Sequence, residues 1–440
     1  MQQLLESLGQ SLAELPGPPQ KFAVAFSGGL DSTVLLAALC RLMPCRDVRA
    51  LHVDHALHPD SRAWESHCRA AAVALGAGFK SLRCPVEAIP GESLEAQARH
   101  VRYRALKSLI APGETLLTAH HADDQLETVM MRLLRGTGVK GLRGIAGVQP
   151  FGAGCLARPL LGVTRADILA AAQSLGLEWL EDPSNRDTRF DRNYVRAELL
   201  PRITARWPAA ARTVGRAASQ MAQAQQILDE VARSDATGDP GRIECPALRG
   251  LSPARRRNLL RHSIVHLGLP VPDTRQMDTL LEALEVRRRD ARTQVRWPGG
   301  EARVYRDHLY LLEPLPAASP EGYSGAVSLA RPWRGPEGEL RLVTATGPGL
   351  PGNWAEEGFS VQFRRGGERF RPLGRQHSRP LKKWFQEAGV PPWLRARIPL
   401  LYRDDALVAV GDLWVTAAAG GEGEGRARWQ VRWTDHPPLS

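Results

Sequence analysis

No C-x-x-C pair occurs anywhere in the 440-residue chain. Its six cysteines, Cys40, Cys45, Cys68, Cys84, Cys155 and Cys245, are scattered, so a zinc or iron–sulfur site has no sequence signal and free thiols in a reducing compartment are expected. A Walker-type G-x-x-x-x-G-K-[ST] is also missing, which removes the ordinary P-loop from consideration. Long apolar runs are lacking: the longest, Thr33 to Cys40, stops at Arg41, far short of the ~20 residues that a membrane helix needs. The first residues carry Glu6 and Glu14 without a basic segment or an apolar core, so no secretory signal and a cytoplasmic location are expected. Lysine is scarce, with only Lys21, Lys80, Lys107, Lys140, Lys382 and Lys383, so arginine supplies nearly all of the positive charge behind the net +11. A basic chain attracts polyanions, and the guanidinium fork suits phosphate because it donates two hydrogen bonds at once.

The length exceeds what one hydrophobic core serves and points to roughly two to four domains. From Phe22 to about Leu180, short apolar runs (Phe22 to Phe26, Val48 to Val53, Ser81 to Val86, Thr115 to Thr118) alternate with amphipathic stretches at Thr33 to Met43, Ser61 to Leu75 and Ser93 to Ile110. That alternation predicts an α/β fold with a doubly wound parallel sheet, whose ligands sit at the carboxyl ends of the strands. Gly136 to Gly154 reads as a glycine-rich loop. Beyond Pro201 the texture becomes helical, over Arg212 to Arg233, Ser252 to Leu267 and Thr274 to Arg289, and the last segment mixes short strands with a helix near Leu381 to Ala388. The expected domains are 1–205, α/β; 206–315, small and helical; and 326–440, small and α+β.

Ser27-Gly28-Gly29-Leu30-Asp31-Ser32 falls between the first strand and the first long helix. Two glycines permit positive φ and close backbone approach, while hydroxyls and helix-terminal amides converge on one spot suited to an anion. Asp31 would repel phosphate on its own, so a divalent cation bridging it to a nucleotide is the natural completion, and ATP with Mg2+ is predicted. A plain tight turn with a capping serine is the competing explanation.

A second block, His120-His121-Ala122-Asp123-Asp124-Gln125-Leu126-Glu127-Thr128, follows the strand Thr115 to Thr118 and opens a helix. It has the form of a capping box, yet two histidines and three carboxylates exceed what capping needs. Asp124 and Glu127 share a helix face, which fits either a second magnesium ligand or an acidic pocket for an ammonium group. A third block runs from Glu181 to Arg196; its Asp182-Pro183-Ser184-Asn185 reads as a turn, and Arg192 and Arg196 are spaced to share the face of a following helix. Gly136-Thr137-Gly138-Val139-Lys140-Gly141 matches G-x-G-x-x-G only formally, because a helix and not a strand precedes it; a nicotinamide or flavin cofactor is therefore discarded.

The Ser27 to Ser32 loop resembles the SGGxDS signature of the PP-loop ATP pyrophosphatases. Together with His52-Val53-Asp54-His55-Ala56-Leu57, His120 to Thr128, Arg132 to Gly138, Arg158-Pro159-Leu160-Leu161 and Glu181 to Arg196, it resembles the tRNA(Ile)-lysidine synthases in order and spacing. The likeness continues more loosely through Arg369 to Gly374, Lys382 to Gln386 and Val390 to Arg395, in the manner of the family's longer, three-domain form. Ala56 stands where the family often has glycine, and His58 where many members have arginine. The resemblance implies an ATP-dependent ligase that joins free L-lysine to C2 of the wobble cytidine of tRNA(Ile) with anticodon CAU, through an adenylated base. In that scheme Ser27, Gly28, Gly29, Leu30, Asp31 and Ser32 hold ATP, and Asp31 and Asp124 hold magnesium. Asp124 and Glu127 also position lysine, His120 or His121 takes its proton, and Arg192 and Arg196 face the α-phosphate or the flipped-out base. A tRNA thiolase from the same superfamily would want paired reactive cysteines, an amidotransferase would want a glutaminase module before the loop, and a non-catalytic RNA-binding protein remains the alternative from another class.

Between Phe363 and Arg403 the chain carries nine arginines and two lysines against Glu368 and Glu387. Arg364, Arg365, Arg369, Arg371, Arg379, Lys382, Lys383 and Arg395 are the expected RNA contacts, with Phe370, Trp384, Phe385 and Trp393 interleaved as stacking rings or as core of the small domain. The implied partners are tRNA(Ile), lysine and, as a candidate, a second copy of the chain; no membrane partner is expected.

Overall fold

In the computed structural model the described residues are 2–15, 21–43, 47–56, 59–86, 94–181, 188–285, 293–316, 324–335, 337–345, 349–420 and 428–435. Leu57, His58 and the turn at Asp182 to Asn185 lie outside them. The chain divides into two compact units, Met1–Leu228 and Asp229–Ser440.

The first unit runs α1 (Gln2–Ala13), β1 (Lys21–Ala25), α2 (Leu30–Leu42), β2 (Val48–Asp54), α3 (Ser61–Ala74), β3 (Gly78–Arg83), α4 (Leu94–Leu109), β4 (Glu114–Leu117), α5 (Ala122–Leu134), α6 (Val139–Leu142), β5 (Val148–Phe151), β6 (Gly154–Ala157) and α7 (Arg165–Ser174). The strands form one sheet in the order β3-β2-β1-β4-β6-β5, parallel except for β5. Alternate residues of β1 serve opposite faces. Phe22 and Val24 join a core with α1, α2, α3 and α7, while Ala23 joins a second core with Leu106 and Ile110 at the α4 side. Burial on both faces is what makes such strands continuous apolar runs. Strand order reverses between β1 and β4, so the loops leaving their carboxyl ends open into the crevice where ligands of doubly wound sheets bind.

Two expectations are corrected here. The glycine-rich stretch 136–154 is no plain loop: it contains α6 and the antiparallel edge strand β5, whose Pro150 an edge tolerates. Strand β3 begins at Gly78 rather than Ser81, because its first residues pair with Arg49 and Ala50 of β2.

After α7 the chain forms α8 (Asp191–Tyr194), a π-helical turn (Val195–Leu199), α9 (Leu200–Arg206) and the long α10 (Ala210–Asp235). The second unit continues with β7 (Arg242–Glu244), α11 (Cys245–Gly250), α12 (Pro253–His266), α13 (Thr274–Glu285), β8 (Gln294–Trp297), β9 (Gly300–Tyr305) and β10 (His308–Leu312). Helices dominate this region as expected, but β7-β10-β9-β8 add an antiparallel sheet that the reading of the residues missed. Its central hairpin turns on Arg306 and Asp307, both at positive φ (49° and 59°), without the Asn-Gly that usually announces such a turn. The remainder packs a five-stranded and a four-stranded sheet around Trp333, Trp354, Trp384, Phe385 and Trp433.

Within this last core Arg397 and Glu337 form an ion pair at 3.0 Å, their side chains 6% and 1% exposed. Arg397 also donates to the carbonyl of Pro316. Leaving one such charge without its partner costs about 3–5 kcal/mol. Glu337→Ala is therefore expected to lower the denaturation midpoint of the full chain markedly, whereas Glu339→Ala, which removes a carboxylate paired with the exposed Arg334 and Arg341, moves it little; thermal melts followed by circular dichroism check this.

Candidate active site

Gly28 adopts φ +77°, and a Cβ there would lie 2.7 Å from Cys68 Sγ. Its carbonyl accepts a hydrogen bond from Leu180 N at 2.8 Å, so the strand-to-helix turn is held from below and from the side. Ser27 Oγ and Ser32 Oγ stand 3.2 Å apart, while Ser32 Oγ and Thr33 Oγ1 both donate to Gly29 O, at 3.1 and 2.9 Å. Gly29 is the N-cap of α2 and brings no side chain to its first amides. Hydroxyls and uncapped amides thus converge at the positive end of a helix, a geometry that suits an anion.

Asp31 points from the first turn of α2 toward the block that follows β4. Burial pushes its carboxyl above the usual range, the charge of Asp124 adds to that, and His121 offsets it in part. Its Oδ1 is buried and accepts no hydrogen bond, an exception to the rule that buried polar atoms find partners. His121, buried at the N-cap of α5, holds Nε2 3.7 Å from Asp31 Oδ2 and 3.5 Å from Asp124 Oδ2, with Nδ1 3.5 Å from Asp123 Oδ2. Burial opposes its protonation, but Asp123 and the other carboxylates around it outweigh that and raise its pKa. His120 differs: burial pushes it down to about 3, and its Nδ1 lies 2.9 Å from Thr118 Oγ1.

Glu127 is 1% exposed and Asp124 8%. Arg192 donates from Nε to Glu127 Oε2 at 2.9 Å and from Nη2 to Asp124 Oδ1 at 3.0 Å. Arg196 donates from Nε to Glu127 Oε1 at 2.6 Å and from Nη2 to Asp124 Oδ1 at 3.0 Å. Burial works against the charge of Asp124, yet His121, His120 and Arg192 bring its pKa below the ordinary carboxylate value. The resemblance assigns both guanidiniums to phosphate or base; in this structure they fork onto the two carboxylates. The arrangement joins Asp31, His121, Asp124, Glu127, Arg192 and Arg196 into one cluster beside the Ser27 loop, and turns His120 toward Thr118. Among the described residues no group of three or more His, Cys, Asp or Glu forms a metal cage.

Two supports escaped the sequence reading: Cys68 underlies Gly28 and Leu180 ties the turn, and neither stands in a motif. A third, His52 Nδ1, lies 3.0 Å from Phe26 O just after β1, and gives a place to the first residue of the His52 to Leu57 block.

Residues 2–203 match the profile of the PP-loop domain, 244–310 that of the TilS substrate binding domain and 359–433 that of the TilS substrate C-terminal domain. The chain is 44% identical over 426 residues to a tRNA(Ile)-lysidine synthase of Alkalilimnicola ehrlichii, covering 93% of each chain. Its identity to the enzyme of Methylococcus capsulatus is 40% over 429 residues, with 95% of this chain and 97% of that one covered. The chain belongs to the tRNA(Ile)-lysidine synthase family. Ala56, where the family often has glycine, sits at φ +55°, in the left-handed region that glycine occupies without cost.

The basic surface of this family member needs revision. Arg365, Arg369, Arg371, Arg379, Lys382 and Lys383 are exposed, and Arg364 is half-buried, with Nε 3.4 Å from Glu368. Arg395 departs from its expected RNA contact: it is 7% exposed and donates to Val390 O and Tyr305 Oη, each at 2.9 Å. Phe370, Trp384 and Phe385 are core residues, and Trp393 packs edge-on against Tyr305 and Tyr310 at 6.1 and 5.4 Å. A small domain needs its large rings for its own core, and these go there first.

Gly28→Ala meets both a forbidden φ and the Cys68 sulfur, so ATP binding measured by calorimetry is expected to fall at least tenfold while the fold is kept. Burial pushes the Cys68 thiol up to about 12, which leaves it protonated at pH 8; iodoacetamide is expected to spare it in the native protein and to modify it after denaturation.

Proposed function

We propose that the Ser27 loop and the cluster around Asp31 transfer AMP from ATP to O2 of the wobble cytosine of tRNA(Ile), and that the amine of lysine then displaces AMP at C2. The observation that carries this reading is the meeting of an uncapped helix N-terminus, a buried unpartnered carboxylate oxygen on Asp31 and the Asp124–Glu127 pair at one switch point of the sheet. An amine cannot expel oxide from a ring carbonyl at neutral pH. Adenylation turns that oxygen into the bridge of a phosphate ester, a competent leaving group, and the pyrophosphate released with it matches the anion site at α2.

We assign Ser27, Gly28, Gly29, Leu30 and Ser32 to the phosphates. Asp31 fits a divalent cation through its unpartnered Oδ1; bound there, Mg2+ would neutralise phosphate charge. The oxygens of Asp124 are already shared among Arg192, Arg196 and the His121 amide, so we assign Asp124 first to holding this cluster together. Lysine's ε-ammonium calls for a carboxylate, and Glu127 with Asp124 supplies one in competition with the two guanidiniums. The exposed cations from Arg365 to Lys383 are assigned to the tRNA backbone. We further propose three modules, 1–205 for catalysis with 206–315 and 326–440 for tRNA.

Incubation with ATP, labelled lysine and total tRNA, followed by nucleoside analysis, tests the reading: labelled lysidine is expected, and label that stays free contradicts it. Asp31→Asn is expected to reduce the yield roughly 100-fold or more, the scale of losing one preorganised electrostatic group, with tRNA affinity retained in filter binding.

A further inference from the structure

One line of side chains leads outward from the site along α5. Asp124, Glu127, Met131 and Leu134 follow at spacings of three, four and three, so they share a face. The first two are buried carboxylates, whereas Leu134 is 70% exposed. At that outer end, Tyr194, Val195 and Leu199 from α8 and the π-helical turn join Met131 and Leu134 around a cavity of about 230 Å³. Arg135 and Asp191 border it and pair with each other at 3.0 Å. Tyr194 is 48% exposed, with Leu133 and Phe190 also open to solvent. An aromatic ring and several large apolar side chains gathered beside a polar rim are uncommon on a surface without a ligand. π-Helical turns, moreover, concentrate at functional sites.

We propose that this cavity receives a base of the tRNA anticodon loop next to the reacting cytidine, stacked on Tyr194. The inference rests on the function proposed above. Glu127 and Leu134 are seven residues apart, about 10 Å along the helix at 1.5 Å per residue, which is within one or two nucleotide steps of an unstacked loop. A nucleobase has apolar faces and polar edges. Here Tyr194, Met131 and Leu134 offer apolar surface, while Arg135 and Asp191 offer a donor and an acceptor to an edge. The same helical segment supplies Arg192 and Arg196 to the catalytic carboxylates, so a base seated on Tyr194 and the cluster are held by one element.

The test uses the full chain and tRNA(Ile) carrying 2-aminopurine at one or the other nucleotide beside the wobble cytidine. Fluorescence quenching on binding is expected at one position with the wild-type protein, with Tyr194→Phe and with Tyr194→Trp, and is expected to be lost with Tyr194→Ala. The KM for tRNA should rise roughly 5- to 160-fold in Tyr194→Ala, the worth of one base stacked on an aromatic ring, with the KM for ATP unmoved. Leu134→Glu, which puts a charge into the cavity mouth, should reproduce that rise without touching the ring. Unchanged quenching and unchanged KM in Tyr194→Ala would overturn the proposal, as would equal loss in Tyr194→Phe. Wild-type protein that forms no lysidine at all would instead count against the proposed function.

Discussion

Two carboxylates brought close in the protein interior repel each other and lose their hydration, and Asp124 and Glu127 are tolerated only because Arg192 and Arg196 arrive to share them. The partners are 65 to 72 residues apart in sequence, so this network fastens the helix after β4 to the segment that leads out of the sheet domain. Apolar contacts of Leu126 with Val195 and Leu200 close the same joint. Guanidinium is suited to the task because its planar fork serves two acceptors at once. The network also sets the electrostatics of the site: the carboxylate side of Asp124 faces His121, which in turn faces Asp31 on the neighbouring element.

That neighbouring element belongs to the other half of the site. Parallel strands β1 and β4 are adjacent, and their outgoing loops meet because the strand order reverses between them. Ser27 to Ser32 and His120 to Glu127 are nearly a hundred residues apart, yet the sheet makes them neighbours without any contact designed for that purpose alone. The loop is shaped from beneath by Cys68 and from the side by Leu180. Among the described residues no helix is long and apolar enough to cross a membrane.

Much of this was legible in the sequence because local rules and tertiary needs agree there. Phe22 to Phe26 reads as a buried strand and Lys21–Ala25 forms one, and Gly28 needs the positive φ that its type allows. Where the two diverge, the reading stopped short. Val148 to Phe151 looked like loop because its Pro150 and flanking glycines hide an edge strand, and β7 to β10 escaped because they are only three to six residues long. The composition of the basic segment left its rings open to either stacking or core, and it invited a surface role for Arg395. Burial of Phe370, Trp384, Phe385 and Arg395 shows that a small domain's core competes for the same residues. Arg192 and Arg196 were recognisable as a pair, but their partners could be named only once the fold had placed Glu127 beneath them.

The central claim is that AMP is placed on the oxygen of the base before lysine attacks. Transfer of an oxygen isotope measures this most directly. tRNA(Ile) labelled with 18O at O2 of the wobble cytidine, turned over with ATP and lysine, is predicted to deliver the label to AMP, one atom per lysidine formed, as read by mass spectrometry. Unlabelled AMP alongside labelled water or labelled pyrophosphate would contradict the account.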